Sequence, residues 1–481
     1  MKHNALNPYL PLYEYIPDGE PRIFGNRLYV YGSHDFAGGE KGFCPGDYMV
    51  WSAPLDDPGD WQCGGVIFPR SSCPDDLSAG GAMAAPDVVQ GVDGRYYLYY
   101  NASSSNPCHI AVSDTPEGPF LPCGDVCSPD GSPYDAVKMF DPGVLVDDDN
   151  RVYLFIGFCM PGPPPAWLSS SGIKTALPEY SLGFELAADM KTIINGPVHI
   201  IPGGNVTAGT GFEGHGFYEA SSPRKINGKY VLAYSSELSH EMAYAIADEP
   251  LGPYTYAGAL VSCANLGLNG NTTPVMPYGN VHGGMAQLHG DWYIFYHRHT
   301  SGQEASRQGC AQKLPVRDDG WFAQAEITSC GLNNGPLPAS GSLNACYCCH
   351  LTSPQIAPER LTTRTCRRAT EPHIYEEPAG TDETQFLHYI ANIGSGTVVG
   401  YRYFRFDRTT SISLRLRGTG NVTVSICLDR PDAGKIAEGS ISLHNTWETL
   451  TLAPEAISGV HALYFCFGSA KAVQFESFSF S

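Results

Sequence analysis

Five polar side chains in the first 300 residues occupy the same position in a repeated pattern. Each opens an apolar, strand-like segment, and a second segment rich in Tyr, Val, Ile and Phe follows ten to twelve residues later. These residues are Asp18, Asp87, Asp141, Glu219 and His282. One polar residue before a strand is usually a turn former. Four acids and a histidine in one register instead indicate a functional set, since paired carboxyl groups can donate and accept protons.

The segments that these residues open are predicted to be β-hairpins. A two-residue turn signal separates the two strands of each unit. The turns are Gly25-Asn26, Asp93-Gly94, Asp149-Asn150, Asn227-Gly228 and His289-Gly290. A hairpin that recurs at this long period predicts a β-propeller, here with five blades. Because the first strand of each blade lines the axis, we expect the five polar residues to converge on one mouth of the central channel.

A second repeat supports the same array. Residues 111–120 and 245–254 match at alternate strand positions and at an Asp, Pro and Gly-Pro turn. Each segment follows its hairpin at a similar distance, so each is predicted to be the third strand of its blade.

Composition narrows the class of protein. The chain has 481 residues, of which 42% are apolar and 16% charged, with 54 Gly and 38 Pro. Many turn residues and few charged helix-forming runs favour an all-β protein. The formal net charge of −20 disfavours nucleic acid and anionic membrane as partners and suits a neutral ligand.

The beginning of the sequence and its cysteines suggest a compartment. Met1 to Asn4 lead directly into Pro8 and Pro11 without an apolar run, so no signal peptide is expected. No apolar stretch reaches the length of a membrane span. Without an export signal, the 16 cysteines are expected to be reduced thiols, and the protein is expected to be cytoplasmic.

The character of the chain changes near residue 331. A propeller domain over 1–330, a Gly/Pro-rich linker over 331–344 and a second domain over 345–481 are predicted. The second domain contains short alternating strands with the spacing of a β-sandwich. Its predicted strands are 385–389, 398–404, 411–416, 421–426, 447–452, 460–465 and 473–478.

Residues 1–330 resemble the family-43 glycoside hydrolases, five-bladed propellers of the arabinofuranosidase and xylosidase type. One motif from each blade, in chain order, carries the resemblance. The motifs are Asp18-Gly-Glu-Pro-Arg-Ile-Phe24, Ala85-Pro-Asp-Val88, Phe140-Asp-Pro142, Glu219-Ala220 and His282-Gly283. The first departs from the family pattern, because Gly19 stands where proline is usual.

The tail resembles family-6 carbohydrate-binding modules, which are jelly-roll sandwiches. The similar stretches are Gly400–Phe404, Leu428–Pro431 and Ser458–Tyr464. It departs from that pattern at Gln474-Phe475-Glu476, where such modules often carry an asparagine.

The propeller resemblance implies roles for three acids. Asp18 is the implied base, Glu219 the acid, and Asp141 the residue that tunes and orients the acid. Glu20 is a rival to Asp18, because a shift of two residues would place Glu20-Pro21 in the family's Asp-Pro position. Glu213 is a local competitor of Glu219.

The other candidate residues have supporting roles. Asp87 is expected to hydrogen-bond substrate hydroxyls, and Arg298 to orient a carboxylate or a sugar oxygen. His282 is expected to hydrogen-bond at the channel floor or to approach a cation through waters. The resemblance implies no required cofactor, with a structural calcium ion as an option.

Together these features predict an exo-acting, inverting glycosidase that releases terminal α-L-arabinofuranose or β-D-xylose from plant-type oligosaccharides. Two alternatives stay open: a sugar-binding propeller without catalysis, and a fructan-acting or transglycosylating enzyme of the related five-bladed clan. The sequence does not choose the sugar, its linkage or the oligomeric state.

Overall fold

The structure is a computed structural model of the chain. It describes residues 5–78, 81–102, 105–162, 177–356, 359–362, 367–379 and 385–481. The described part is all-β. Its helical residues lie in 3-10 turns at Ala37–Gly39, Arg70–Ser72, Leu268–Gly270 and Ala345–Tyr347.

Five small antiparallel sheets follow one another between residues 20 and 313, and within each sheet the strands pair in chain order. The first contains β1 (Glu20–Phe24), β2 (Arg27–Tyr31), β3 (Tyr48–Pro54) and β4 (Gln62–Phe68), and the second β5 (Asp87–Gln90), β6 (Tyr96–Tyr100), β7 (His109–Ser113) and β8 (Leu121–Asp125). The third contains β9 (Gly143–Val146), β10 (Val152–Ile156), β11 (Tyr180–Leu186) and β12 (Ile193–Pro202). The fourth contains β13 (Phe217–Ile226), β14 (Lys229–Ser236), β15 (Glu241–Ala247) and β16 (Thr255–Ser262), and the fifth β17 (Met285–Leu288), β18 (Asp291–Arg298) and β19 (Gln308–Lys313).

The five predicted hairpins are confirmed. Each predicted turn lies between the first and second strands of a sheet, and the two strands are antiparallel. The second strands have the aromatic and β-branched composition that strands favour, and β10 is buried along its whole length. The two repeated segments provide the third strands β7 and β15.

Each of the five sheets packs against the next, and the fifth packs against the first. A buried apolar cluster lies between each pair of neighbouring sheets. The pairs are Tyr31 with Leu98, Tyr99 with Leu154, Phe155 with Leu232, Val231 with Ile294, and Phe295 with Leu28.

The first strands of the sheets come closest together. A Cβ atom placed on Gly143 of β9 would lie 2.1 Å from the carbonyl oxygen of Ser221 on β13, so only glycine fits there. Arg224 of β13 donates to the carbonyls of Pro21 in β1 (2.9 Å) and Met285 in β17 (2.8 Å). The residues that open these strands are therefore held in one region.

Two six-stranded sheets form the rest of the chain. One has the order β20-β25-β30-β27-β28 with β22 on β25, and the other β23-β24-β31-β26-β29 with β21 on β31. Their strands are β20 (Leu337–Pro338), β21 (Gly341–Asn344), β22 (His350–Thr352), β23 (His373–Pro378), β24 (Phe386–Ile393), β25 (Val398–Thr409), β26 (Ile412–Arg417), β27 (Thr419–Leu428), β28 (Lys435–His444), β29 (Glu448–Leu452), β30 (Ile457–Ser469) and β31 (Val473–Phe480). Every strand predicted in the tail is found. Within the predicted linker 331–344, residues 337–338 form β20 and residues 341–344 form β21.

The last two sheets share one core with each other and with the fourth and fifth sheets. Hydrogen bonds also cross between the two parts of the chain. The amide of Ser329 donates to the carbonyl of Arg402 (2.7 Å), and the amide of Leu351 donates to that of Val275 (2.8 Å).

Two further predictions concern cysteines and membranes. Fifteen of the 16 cysteines lie in the described residues, and all fifteen are free thiols. A search of the described residues for a helix that could cross a bilayer found none.

Candidate active site

Four of the six predicted site residues lie together. Asp18 and Asp141 precede β1 and β9, Glu219 lies in β13, and His282 precedes β17. None is more than 7% exposed. His282 Nδ1 lies 3.3 Å from Asp141 Oδ2, and the carboxylates of Asp141 and Asp18 act electrostatically on Glu219. We call these four residues the acid cluster.

The backbone at the acid cluster is unusual. Asp18, Asp141 and Ala220 have φ values of 57°, 48° and 72°, in the left-handed region that non-glycine residues rarely adopt. The pairing of β13 with β14 is also irregular between Glu219 and Ser222. Such strained positions and bulges concentrate at functional sites, where they aim particular side chains.

Asp18 is held as a carboxylate. Arg307 Nη1 donates to its Oδ1 at 2.9 Å, and the Ser33 hydroxyl donates to its Oδ2. Burial alone would raise the pKa of Asp18, but the charge of Arg307, the contact with His297 and the charge of His282 together outweigh burial and place the pKa well below the usual range. Arg307 is itself fixed by Asp35, whose Oδ2 lies 2.7 Å from Nε.

His297 also contacts Asp18, but as a neutral ring. Its Nε2 lies 3.0 Å from the carbonyl of Asn280, which can only accept, so Nε2 carries the proton. Its Nδ1 then accepts from the amide N–H of Asp18 at 3.3 Å. Burial lowers the pKa of His297 to about 4, although Asp18 acts to raise it. Arg307 is therefore the main cation beside Asp18.

Glu219 is held as an acid. Among the described residues, none makes a hydrogen bond or an ion pair with its carboxyl group. Burial, together with the negative charges of Asp141 and Asp18, raises its pKa to about 8. Glu219 is therefore protonated near neutral pH, while Asp18 is ionised.

His282 carries the compensating charge. Burial acts to lower its pKa, but Asp141 and the other two acids outweigh burial and raise it to about 9. The imidazolium therefore pairs with Asp141. The acid cluster thus contains a protonated carboxyl group, Glu219, and an ionised one, Asp18. It also contains the ion pair of Asp141 and His282.

Glu20, the rival base, belongs to a different group. Its carboxylate pairs with Arg224, lies 3.6 Å from Arg22 Nη2, and accepts from the Ser222 hydroxyl at 3.2 Å. Burial raises the pKa of Glu20, but the two arginines outweigh burial and lower it. Asp18 acts electrostatically on Glu219 and Asp141, whereas Glu20 lies among arginines, so the structure brings Asp18 rather than Glu20 into the acid cluster.

Comparison with known proteins places the chain in a family. A sequence model of Glycosyl hydrolases family 43 matches residues 56–322, more than half of the chain. This chain belongs to glycosyl hydrolase family 43. A protein from Thermoclostridium stercorarium named xylosidase/arabinosidase is 36% identical over 490 aligned residues, which cover 100% of this chain and 99% of that protein. A xylosidase/arabinosidase from Bacteroides ovatus is 31% identical over 60% of this chain and 87% of its own.

Solved structures agree with this placement. A family-43 β-xylosidase/α-arabinofuranosidase from a compost microbial metagenome, in complex with xylotriose and in calcium-free form, superposes with a TM-score of 0.52. It is 26% identical and covers 65% of this chain and 95% of its own. An arabinoxylan arabinofuranohydrolase from Bacillus subtilis, at 19% identity and a TM-score of 0.51, shares the fold over 100% of this chain and 99% of its own.

Two predicted substrate-binding residues of this family-43 hydrolase lie outside the acid cluster. Asp87 accepts from Arg22 Nε (2.9 Å) and from the amide of Val144 (2.7 Å), and is 1% exposed. These contacts hold together β1, β5 and β9, so the structure does not support a role in binding sugar hydroxyls. We call Glu20, Arg22, Asp87 and Arg224 the arginine cluster.

Arg298 is the second residue that the structure places elsewhere. Its guanidinium donates to the carbonyls of Asn7 (3.1 Å) and Cys348 (3.0 Å) rather than to a carboxylate. It is completely buried and joins the N-terminal segment, β18 and the segment before β22. These contacts do not support the prediction that Arg298 orients a carboxylate or a sugar oxygen; Arg307 makes the carboxylate contact.

Glu213, the competitor of Glu219, is an exposed loop residue. Its carboxylate accepts from the amides of Gly209 (2.6 Å) and Thr210 (3.2 Å). These contacts order its own loop, and Glu213 is not part of the acid cluster.

The residues around His282 bear on the expected calcium ion. Calcium selects oxygen ligands, and His282 offers ring nitrogens, one of which already pairs with Asp141. His282 does not fit as a direct calcium ligand, so a calcium ion beside it would be reached through waters, and the proposed mechanism uses no metal.

Four residues that lie near the acids were not among the predicted site residues: Asp35, His297, Arg307 and Arg360. Arg307 lies 289 positions from Asp18, and no local pattern marks it. Arg360 comes from the C-terminal part of the chain. Its Nη2 donates to Glu304 at 3.0 Å, and its charge acts on both Tyr218 and Glu219.

Proposed function

We propose that this enzyme is an exo-acting, inverting glycosidase that releases a terminal pentose, α-L-arabinofuranose or β-D-xylose, from plant-type oligosaccharides. The observation that carries the proposal is that one buried cluster holds both a protonated carboxyl group, Glu219, and an ionised one, Asp18. Two relatives support the class of sugar, because both are named xylosidase/arabinosidase. One aligns with the whole of this chain and the other with 60% of it.

The proposed mechanism assigns one proton transfer to each acid. Glu219 gives its proton to the glycosidic oxygen as the bond to the sugar breaks. Asp18 removes a proton from a water molecule that attacks the opposite face of the ring. Inversion requires the two carboxyl groups to stand about 6.5–9.5 Å apart, so that this water fits between them.

Asp141 is proposed to tune the acid. Its negative charge disfavours ionisation of Glu219 and so keeps the proton available at neutral pH. Its pairing with His282 Nδ1 fixes the direction of the carboxylate. Neither residue needs to touch the reacting atoms for this role.

The test combines a panel of nitrophenyl glycosides with proton NMR of the sugar first released. We expect turnover of the α-L-arabinofuranoside or the β-D-xyloside, with the released anomer opposite to the bound one. Binding of pentosides without release would instead indicate a sugar-binding propeller. Retention of configuration would indicate a double-displacement or transglycosylating enzyme with a carboxylate pair about 5 Å apart.

We also propose that the first five sheets form a closed five-bladed propeller over residues 1–330. Support comes from the packing of the fifth sheet against the first and from the arginine contacts among the first strands. For residues 345–481 we propose a jelly-roll sandwich of the family-6 carbohydrate-binding type, joined through 331–344. Titration of the full-length Glu219→Gln protein with xylan fragments would test sugar binding by that sandwich: a second stoichiometric site supports it, and a single site contradicts it.

A cytoplasmic location, with small imported oligosaccharides as substrates, is part of the same proposal. It rests on the cysteine-rich composition, which a reducing compartment would keep as thiols. Cell fractionation of the source organism would test it, and activity in the medium would contradict it.

A further inference from the structure

A second cluster of reactive side chains lies at one end of the second sheet. Cys73 follows the 3-10 turn Arg70–Ser72, Asp75 lies two residues further on, and His109 begins β7. The Cys73 Sγ, one carboxylate oxygen of Asp75 and one ring nitrogen of His109 all lie within 4.8 Å of one another. The acid cluster uses none of these residues.

The types of atom match the ligands of one group of metals. Thiolate, imidazole and carboxylate are the three protein ligands of zinc, and a fourth position is commonly filled by water. Hard cations such as calcium and magnesium instead select oxygen ligands alone. A mixed sulfur, nitrogen and oxygen set therefore points to a borderline divalent ion.

One distance agrees with a shared metal. His109 Nε2 and Asp75 Oδ2 are 3.2 Å apart. Two ligands bound at about 2.0–2.1 Å to a tetrahedral zinc ion lie about 3.3–3.4 Å from each other. The two atoms already have the separation that the ion requires, and their side chains need not move apart.

The other ring nitrogen of His109 has the partner that a metal ligand requires. His109 Nδ1 lies 2.7 Å from Asp125 Oδ1, in the strand that pairs with β7. A metal-bound histidine almost always donates its second N–H to a carboxylate or a carbonyl, which fixes the ring and directs the free nitrogen at the metal. His109 is 3% exposed, so its ring is also held by packing.

The remaining neighbours are compatible with a cation. Tyr100 interacts with Cys73, and its ring centroid lies 5.2 Å from that of His109. Two positive side chains act on the cluster besides His109. Lys138 acts on Asp75, and its Nζ donates to the carbonyls of Ala102 (3.2 Å) and Ser105 (2.6 Å). Arg70 acts on Cys73. These two charges oppose the cation, but the three acidic ligands and neighbours outnumber them: Cys73 as thiolate, Asp75 and Asp125.

We propose that Cys73, Asp75 and His109 bind a zinc ion, with Asp125 as the residue that positions His109. The ion would tie the segment after β4 to β7, distant in sequence from the acids that carry the chemistry. Binding displaces the thiol proton of Cys73 and any proton on His109 Nε2, and both go to solvent. The competing arrangement is an imidazolium that bridges Asp75 and Asp125 and leaves Cys73 without a role.

Cys73 separates the two arrangements, because only the metal site needs it. The full-length protein is equilibrated with Zn²⁺ against a chromophoric chelator, and bound zinc is measured by elemental analysis. We expect one zinc ion per wild-type chain. Cys73→Ser should lower the zinc affinity at least about 100-fold, and Asp125→Asn about 10- to 100-fold. Cys63→Ser, which changes an exposed thiol on β4, is the matched control and should bind zinc as the wild type does.

Cobalt substitution gives a readout that needs neither activity nor a change in stability. Co²⁺ bound to a thiolate gives a charge-transfer band in the near ultraviolet, and we expect this band in the wild type and in Cys63→Ser but not in Cys73→Ser. A wild-type protein that takes up no zinc at micromolar concentration would overturn the proposal. An unchanged band in Cys73→Ser would also overturn it, since the thiolate ligand would then be another cysteine.

Discussion

The acid cluster and the arginine cluster are two neighbouring groups of buried charges with opposite properties. Both consist of residues that lie in, or directly before, the first strands of the small sheets. Glu20 and Glu219 are similarly buried, at 3% and 7% exposure. Yet the pKa of Glu20 lies below its ordinary value, and that of Glu219 is raised to about 8.

The difference lies in the contacts of the two carboxyl groups. Glu20 has two guanidinium partners and a hydroxyl donor, so its charge is neutralised where it lies. Glu219 has acids as neighbours, and its cationic neighbours act at longer range. Burial therefore gives an ionised structural residue in one cluster and a protonated acid in the other. The position of a carboxyl group on its strand does not decide its protonation; the charges that surround it do.

The largest expected effect is loss of catalysis in the acid cluster. Glu219→Gln removes the transferable proton but keeps the shape of the side chain, so we expect kcat/KM to fall about 10²- to 10⁴-fold. Nitrophenyl glycosidase assays on the folded variant measure this loss. Glu213→Gln, in the nearby exposed loop, is the control and should keep wild-type activity. Full activity in Glu219→Gln would remove Glu219 from the mechanism.

The corresponding change in the arginine cluster should affect stability instead. Glu20→Gln leaves Arg224 and Arg22 buried without their shared carboxylate, which typically costs about 3–5 kcal/mol of unfolding free energy. Urea unfolding measures the loss, and kcat per folded molecule should stay near the wild-type value. Ser222→Ala removes only the hydroxyl that donates to Glu20 and should cost about 1 kcal/mol. A stable but inactive Glu20→Gln would make Glu20 the base and reverse the comparison.

The pH profile should report the acid cluster alone. Glu219 must be protonated to act, so kcat/KM should fall as the pH rises through about 8. The pKa of Asp18 lies well below its ordinary value, so the acidic limb of the pH profile should not come from Asp18.

The raised pKa of Glu219 also makes the stability of the folded protein depend on pH. Between its ordinary value of 4.5 and about 8, Glu219 binds more protons in the folded than in the unfolded protein. Its contribution to stability is therefore complete below 4.5 and is lost as the pH rises through about 8. Glu219→Gln should remove this pH dependence, and an unchanged profile in that variant would assign the group to another residue.

The smallest expected effect is a shift of the basic limb by neighbouring charges. The charge of Arg360 lowers the pKa of Glu219, and that of Asp141 raises it. Arg360→Gln should therefore move the basic limb to higher pH, Arg360→Lys should leave it nearly unchanged, and Asp141→Asn should move it to lower pH. Shifts of the same sign in Arg360→Gln and Asp141→Asn would contradict an electrostatic origin.

Local signals made much of the fold predictable. Asp93-Gly94 and Asn227-Gly228 specify tight turns through the backbone conformations that they tolerate, and the flanking residues alternate as strands do. The shared register of Asp18, Asp141, Glu219 and His282 followed from those hairpins. β28 was missed, because residues 435–444 carry Lys, Glu and Gly in place of an apolar alternation.

The partners of the acids were not predictable in the same way. Asp18 and Glu20 are two residues apart, and both are acidic residues near a strand start. Their different surroundings come from Arg307, directly before β19, and Arg224 in β13, which are distant in sequence and are marked by no local pattern. Arg298 and Arg307 likewise look alike in sequence, and only the fold shows that one contacts carbonyls and the other Asp18.

Arg298 also limits how this protein can be divided. Its guanidinium donates to groups from the start of the chain, from Cys310 in β19 and from Cys348. A shortened enzyme that stopped before Cys348 would strip one acceptor from a fully buried cation and open its packing to water. The C-terminal part therefore cannot be exchanged freely. A replacement must supply a carbonyl group at the position of Cys348, or Arg298 must be replaced as well.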